Sequence, residues 1–163
     1  MKKIFFITII LLLQSFSSFG NPKGKGIICV EGDYLENLDK LSDKEDLLYK
    51  EEKNPKIIGF SFLDDKVIFT YLDKKNDDVV MLKSPPLLFK TTTKIIEWGG
   101  GVDLRWELDR KTLKLKEISK TKITYEYQCK VFSKDDYSDR MEEYRDLVQQ
   151  FFDEELKKLD NKI

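Results

Sequence analysis

The sequence predicts a mainly β protein: an antiparallel meander that forms a small barrel or strongly curved sheet, followed by an amphipathic C-terminal α-helix. Three observations predict it. Apolar and polar residues alternate through most of residues 56–132, the period of strands whose successive side chains point to opposite faces. Turn sequences at Asp64-Asp65, Lys74–Asp78 and Asp109–Lys111 punctuate that alternation, as they do between paired strands. After Ser133 the apolar spacing changes to steps of three and four, the period of a helix with one buried face.

The chain opens MKKIFFITIILLLQSFSSFG. Lys2 and Lys3 precede an apolar run, Ile4–Leu13, and small residues Ser18 and Gly20 stand at positions −3 and −1 of a cleavage site. This is the layout of a secretory signal peptide over residues 1–20, with the mature chain beginning at Asn21. The run is too short for the roughly 20 residues that span a bilayer as a helix. A periplasmic or secreted protein is expected, with no stable membrane anchor after signal removal.

Export implies an oxidising compartment, where thiols pair. Cys29 and Cys129 are the two cysteines of the chain, and one disulfide is the simplest reading. Cys29 shares a strand face with Ile27, and Cys129 shares one with Tyr127 and Val131, so both point toward the core. The chain has no CxxC motif and no His, hence no local means of activating a thiol. Closing so long a loop stabilises by roughly 4–5 kcal/mol in the chain-entropy account. The bond would also bring the first and last strands together, as barrel closure requires.

Residues 21–133 form the disulfide-stapled antiparallel β domain in this reading. Within it, residues 33–53 are acidic with spaced leucines, and Ser42 with Glu45 suggests a capping box and a short helix. Ile58, Phe60 and Phe62 share one face, as do Val67, Phe69 and Tyr71 in the next strand, with a hairpin at Asp64-Asp65. A strand over Val79–Lys83 ends at Ser84-Pro85-Pro86, because proline gives no ladder hydrogen bond. Residues 87–98 resume as one β-branched run, and Gly99–Gly101 turns the chain. Val102, Leu104, Trp106 and Leu108 then oppose Leu113 and Leu115 across a tight turn. The last strand presents Ile123, Tyr125, Tyr127, Cys129 and Val131 on one face. The hairpin ELDRKTLKL and the barrel-like pattern resemble lipocalin-type small barrels in architecture, a likeness that transmits no function.

Residues 134–163 form the C-terminal helix. Ser133 with Asp136 resembles a capping box, and Phe132 with Tyr137 a hydrophobic staple. Met141, Tyr144, Leu147, Val148, Phe151, Phe152, Leu156 and Leu159 make the apolar stripe. Its expected place is against the sheet, since two exposed phenylalanines would mark an interaction patch.

The chain carries 29 Lys and Arg against 30 Asp and Glu. Two of the lysines lie in the leader, which leaves −3 for the mature chain. That charge argues against nucleic acid, which calls for a strong positive field. The absence of His removes the commonest catalytic base and zinc ligand. The triple glycine lacks the Lys-Ser/Thr of a phosphate loop, and Asp73–Asp78 lacks the spacing of a calcium loop. No cofactor, metal or catalytic residue is therefore predicted.

Glu97, Asp103, Glu107 and Glu126 are the strand carboxylates available to a carboxylate-based hydrolase, whose two acids must converge in a cleft. Phe60, Phe62, Phe69, Tyr71, Trp98, Trp106, Tyr125 and Tyr127 are the aromatics that either fill the barrel or line a pocket in it. The leading expectation is an exported, non-enzymatic binding module for a small apolar molecule. The alternatives are a module that meets a partner protein through the acidic helix or a sheet edge, and a hydrolase.

Overall fold

The computed structural model describes residues 19–31, 57–99, 103–120 and 122–160 of the 163, without the side chains of residues 151, 155, 156, 159 and 160. The short helix expected within 33–53, most of the triple-glycine turn and Val102 lie outside these residues.

Among the described residues the chain forms β1 (Lys25–Glu31), β2 (Ile57–Leu63), β3 (Lys66–Lys75), β4 (Asp78–Lys83), β5 (Leu87–Thr91), β6 (Ile95–Gly99), β7 (Leu104–Asp109), β8 (Lys114–Ser119), β9 (Lys122–Ser133) and α1 (Lys134–Asp160). Every strand pairing is antiparallel. The order β2-β1-β9-β8-β7-β6-β5-β3, with β2 returning to β3, closes an eight-stranded barrel. β4 is the ninth strand and lies outside that ring. Lys66 and Val67 of β3 pair with β5, whereas Thr70–Lys75 pair with β4, so β3 outgrows the barrel and carries β4 with it.

Turn chemistry sets the corners. Asp64 and Asn76 take the left-handed backbone at φ 53° and 60° in the two expected turns, where short polar side chains are tolerated. The Asp109 carboxylate accepts from the backbone N–H groups of Lys111 (2.9 Å) and Thr112 (2.7 Å). Leu113 then sits at φ 57° before β8 begins. The run 87–98 is two strands rather than one. Thr92 folds the chain at its middle, its hydroxyl accepting from Lys94 N (3.2 Å) and Ile95 N (3.0 Å). Propensity could not show this turn, because three threonines favour a strand by composition.

Period two places the core inside. Ile27, Cys29, Ile58, Phe60, Phe62, Val67, Ile96, Trp98, Trp106, Leu108, Leu115, Tyr127 and Cys129 form one buried inner cluster. Cys29 and Cys129 are bonded (S–S 2.03 Å) as register partners of β1 and β9. Ile123 departs from the expected face. Glu117 pairs with Tyr125 but Ile118 pairs with Ile123, so β9 holds one extra residue. That bulge turns Ile123 to the outside, where it is 52% exposed.

The helix lies on the outer face. Ile28 and Val30 of β1 form a second cluster with Tyr137, Met141 and Tyr144 of α1, joined by Phe132 and Leu147. The start of α1 is capped as the sequence suggests: Asp136 N donates to Ser133 Oγ (3.2 Å). The return contact differs from the usual box, because Ser133 Oγ itself donates to Asp136 Oδ2 (2.6 Å). Two glycines let the helix approach. A Cβ at Gly26 would overlap the Tyr137 ring, and one at Gly59 would lie 2.5 Å from Tyr137 Oη. Further along, Gln149 holds β4, accepting from Val79 N (2.6 Å) and donating to Asp77 O (2.9 Å). Phe152 is half-buried with Lys74 Nζ 4.5 Å from its ring centre. Phe151 lies outside the described side chains.

Candidate functional site: the tyrosine-rimmed end of the barrel

The eight aromatics singled out from the sequence do share the inner face, and they divide into a plug and a rim. Phe60 is the hub of the plug. Its ring centre lies 4.9 Å from Trp98, 5.1 Å from Phe69 and 5.2 Å from Trp106. Phe62 lies edge-on to Trp98 at 5.6 Å. These rings pack against one another as barrel filling, so the middle of the barrel is core.

The rim begins where the plug ends. Phe69 stacks on Tyr71 at 5.2 Å and meets Trp106 at 5.7 Å. Trp106 meets Tyr127 at 6.0 Å, and Tyr127 meets Tyr125 at 6.3 Å. Five rings from β3, β7 and β9 thus run in one arc across the barrel. Its ends, Tyr71 (36% exposed) and Tyr125 (41%), reach solvent.

Two carboxylates stand on the same inner face at the same end. Glu31 continues the inward series Ile27, Cys29 and is the register partner of Tyr127. Glu117 follows inward Leu115 and is the register partner of both Trp106 and Tyr125. Both are half-buried. The Glu117 carboxylate accepts from Thr124 Oγ1 (3.2 Å). Tyr127 is 2% exposed, and its buried hydroxyl makes no hydrogen bond of ordinary geometry, although the Glu117 carboxylate lies near enough to act on it. Burial foremost, then the charges of Glu117 and Glu31, hold the Tyr127 phenol well above its ordinary range. Trp98 Nε1 is buried without a partner, deeper in the plug.

Sequence reasoning passed over Glu31 and Glu117. A signal existed: each is an acid at an inward position of a period-two strand, two residues beyond a buried one. The four carboxylates chosen instead do not converge at the rim. Glu97 and Glu107 face each other across β6 and β7 on the outer face, between inward Ile96, Trp98, Trp106 and Leu108. Glu107 pairs there with Arg105 (3.0 Å), and Glu126 lies 3.8 Å from Lys116 on the outer face of β8 and β9. Asp103 is exposed before β7 begins.

Comparison with protein-family models, with curated proteins and with solved structures finds no significant match. Among the described residues no helix is long and apolar enough to cross a membrane.

Proposed function

We propose that the chain is an exported, non-enzymatic binding protein whose site is the tyrosine-rimmed end of the barrel, and that its ligand is a small molecule with a flat apolar body and a positively charged group. One observation carries the reading: an arc of five rings shares the inner face with two half-buried glutamates, one of them acting on the buried Tyr127 hydroxyl. Aromatic faces attract cations through the ring quadrupole, by about 0.5–2 kcal/mol per contact as solvent is excluded. Carboxylates at the same end add charge complementarity. The purely apolar ligand suggested by the aromatics alone leaves Glu31 and Glu117 without a purpose and would desolvate them at a cost. A cation bearing an apolar body uses rings and carboxylates together. The internal disulfide supports the extracytoplasmic setting, periplasmic or secreted.

The test uses the protein's own tryptophans, both of which lie in the ring system. Benzyltrimethylammonium should change the emission saturably, through Trp106. Its neutral isostere, neopentylbenzene, should bind at least tenfold more weakly. Glu117→Gln and Tyr125→Ala should each weaken the cation. Equal affinity for both probes would discard the charged ligand, and indifference of both probes to Tyr125→Ala would discard the site.

A further inference from the structure

The opposite end of the barrel is closed by a residue that the leader pattern assigns to the signal peptide. Phe19 is 1% exposed and belongs to the inner core cluster. Its ring lies edge-on to Phe62 at 5.6 Å, with Lys25 Nζ 5.8 Å from its centre. Arg110, in the turn between β7 and β8, clamps the backbone around it. Phe19 N donates to Arg110 O (2.8 Å). Arg110 Nε donates to Phe19 O and Arg110 Nη2 to Gly20 O, both at 2.9 Å. Arg110 Nη1 reaches Thr92 O in the neighbouring turn. One guanidinium thus ties residues 19 and 20 to two hairpin turns, and those carbonyls are its acceptors.

We infer that signal peptidase cuts upstream of Phe19, between Ser17 and Ser18, and that the exported chain keeps Phe19 as the plug of its barrel. Cutting after Gly20 would remove a fully buried ring and strip Arg110 of two acceptors. Burial of a phenylalanine moves a folding equilibrium by roughly ten- to a hundredfold. The leader offers a second register of small residues, Ser15 at −3 and Ser17 at −1, which suits the same class of endopeptidase. Hydrolysis there consumes one water, breaks the Ser17–Ser18 peptide bond, and leaves a carboxylate on Ser17 and an amine on Ser18. Gly20 supplies no argument for the downstream register. A Cβ built on it meets nothing within 4 Å, so its smallness is not demanded by the fold.

The inference rests on the export reading, and the experiment separates the two. The full chain with its own leader is expressed in a bacterium, and the intact mass and first residues of the exported protein are determined. A chain beginning at Ser18 is the expected result. A chain beginning at Asn21 overturns the inference and leaves export standing; a chain retaining residues 1–17 overturns both. Variants sharpen the result, because bulk at −1 blocks cleavage. Ser17→Leu should abolish the Ser18 terminus, whereas Gly20→Leu should leave it unchanged. The reverse pattern overturns the inference. As a check on the plug itself, protein beginning at Asn21 should have a folding constant at least tenfold lower than protein beginning at Ser18. Equal stability overturns the plug.

Discussion

Cys29 and Cys129 are direct register partners on adjacent strands, 100 residues apart in sequence and bonded inside the barrel. The bond therefore adds nothing to the path of the folded chain, since the seven-residue ladder of β1 and β9 already joins these strands. Its contribution lies in the unfolded ensemble, which it closes into a long loop. Replacing both residues by serine should cost about 2–5 kcal/mol, read as a lower urea midpoint. Spectra of the native state should stay unchanged. A variant as stable as the oxidised protein would mean that residual structure already confines the unfolded chain without the bond.

Two buried phenols give the stability a pH dependence. Tyr127 is held above its ordinary range by burial first and by Glu117 and Glu31 next. Tyr137 is pushed up to about 12 by burial, with the Thr70 hydroxyl opposing. In each case the folded state holds its proton more tightly than the unfolded one. The contribution is thus complete below the unfolded tyrosine value of about 10 and is lost as pH rises through 10 toward 12. Denaturation midpoints measured from pH 8 to 11.5 should fall beyond pH 10. Tyr137→Phe and Tyr127→Phe should each flatten that fall. A slope that neither substitution changes would assign the alkaline loss to other groups.

The pattern of residues foretold what depends on local period and missed what depends on closure. Alternation identified the inner faces of β2, β3 and β7, and the inward aim of both cysteines follows from it. Ser133 and Asp136 marked the helix start because capping is written within four residues. The bulge at Ile123 was hidden, because one inserted residue in β9 is visible only against its partner β8. The departure of β4 from the ring was hidden likewise: it arises from β3 pairing with two strands along one edge. Glu31 and Glu117 looked like ordinary acids on alternating strands until closure brought them to the same end as Tyr71 and Tyr125. Phe19 was concealed by the leader-like composition around it.

The seat of the helix is cut by glycines. A Cβ at Gly26 would meet the root of the Tyr137 side chain, including its Cβ at 2.7 Å, and that root moves only with the helix backbone. A Cβ at Gly59 would instead meet far ends: Tyr137 Oη at 2.5 Å and Met141 Sδ at 2.9 Å. Gly26→Ala should therefore cost about 1–3 kcal/mol, with faster amide exchange in the first turns of α1. Gly59→Ala should cost less. Its cost should shrink further in a Tyr137→Phe background, which removes the hydroxyl it strikes. A double-mutant cycle reads that coupling directly, and strict additivity would show that the hydroxyl is not the obstacle.

Plug and rim should answer differently to truncation, and the difference tests whether the rim exists for the fold or for a ligand. Phe60 is 0% exposed and touches three other rings. Phe60→Ala should cost about 3–5 kcal/mol, the range for a large buried aromatic that leaves a cavity. Tyr71 and Tyr125 each meet one described ring and remain more than a third exposed, so each buries less on folding than Phe60 does. Each alanine variant should cost about 1–2 kcal/mol, less than Phe60→Ala, while binding of benzyltrimethylammonium falls severalfold. Glu117→Gln should follow the rim pattern, because the substituted amide keeps an acceptor for Thr124 while losing the charge. Thermal melts and fluorescence titrations on one set of four variants decide the matter. If Tyr125→Ala destabilises as much as Phe60→Ala, the tyrosine is a structural lid and the arc ends at Tyr127. If neither quantity changes for any rim variant, the tyrosine-rimmed end of the barrel is not the binding site.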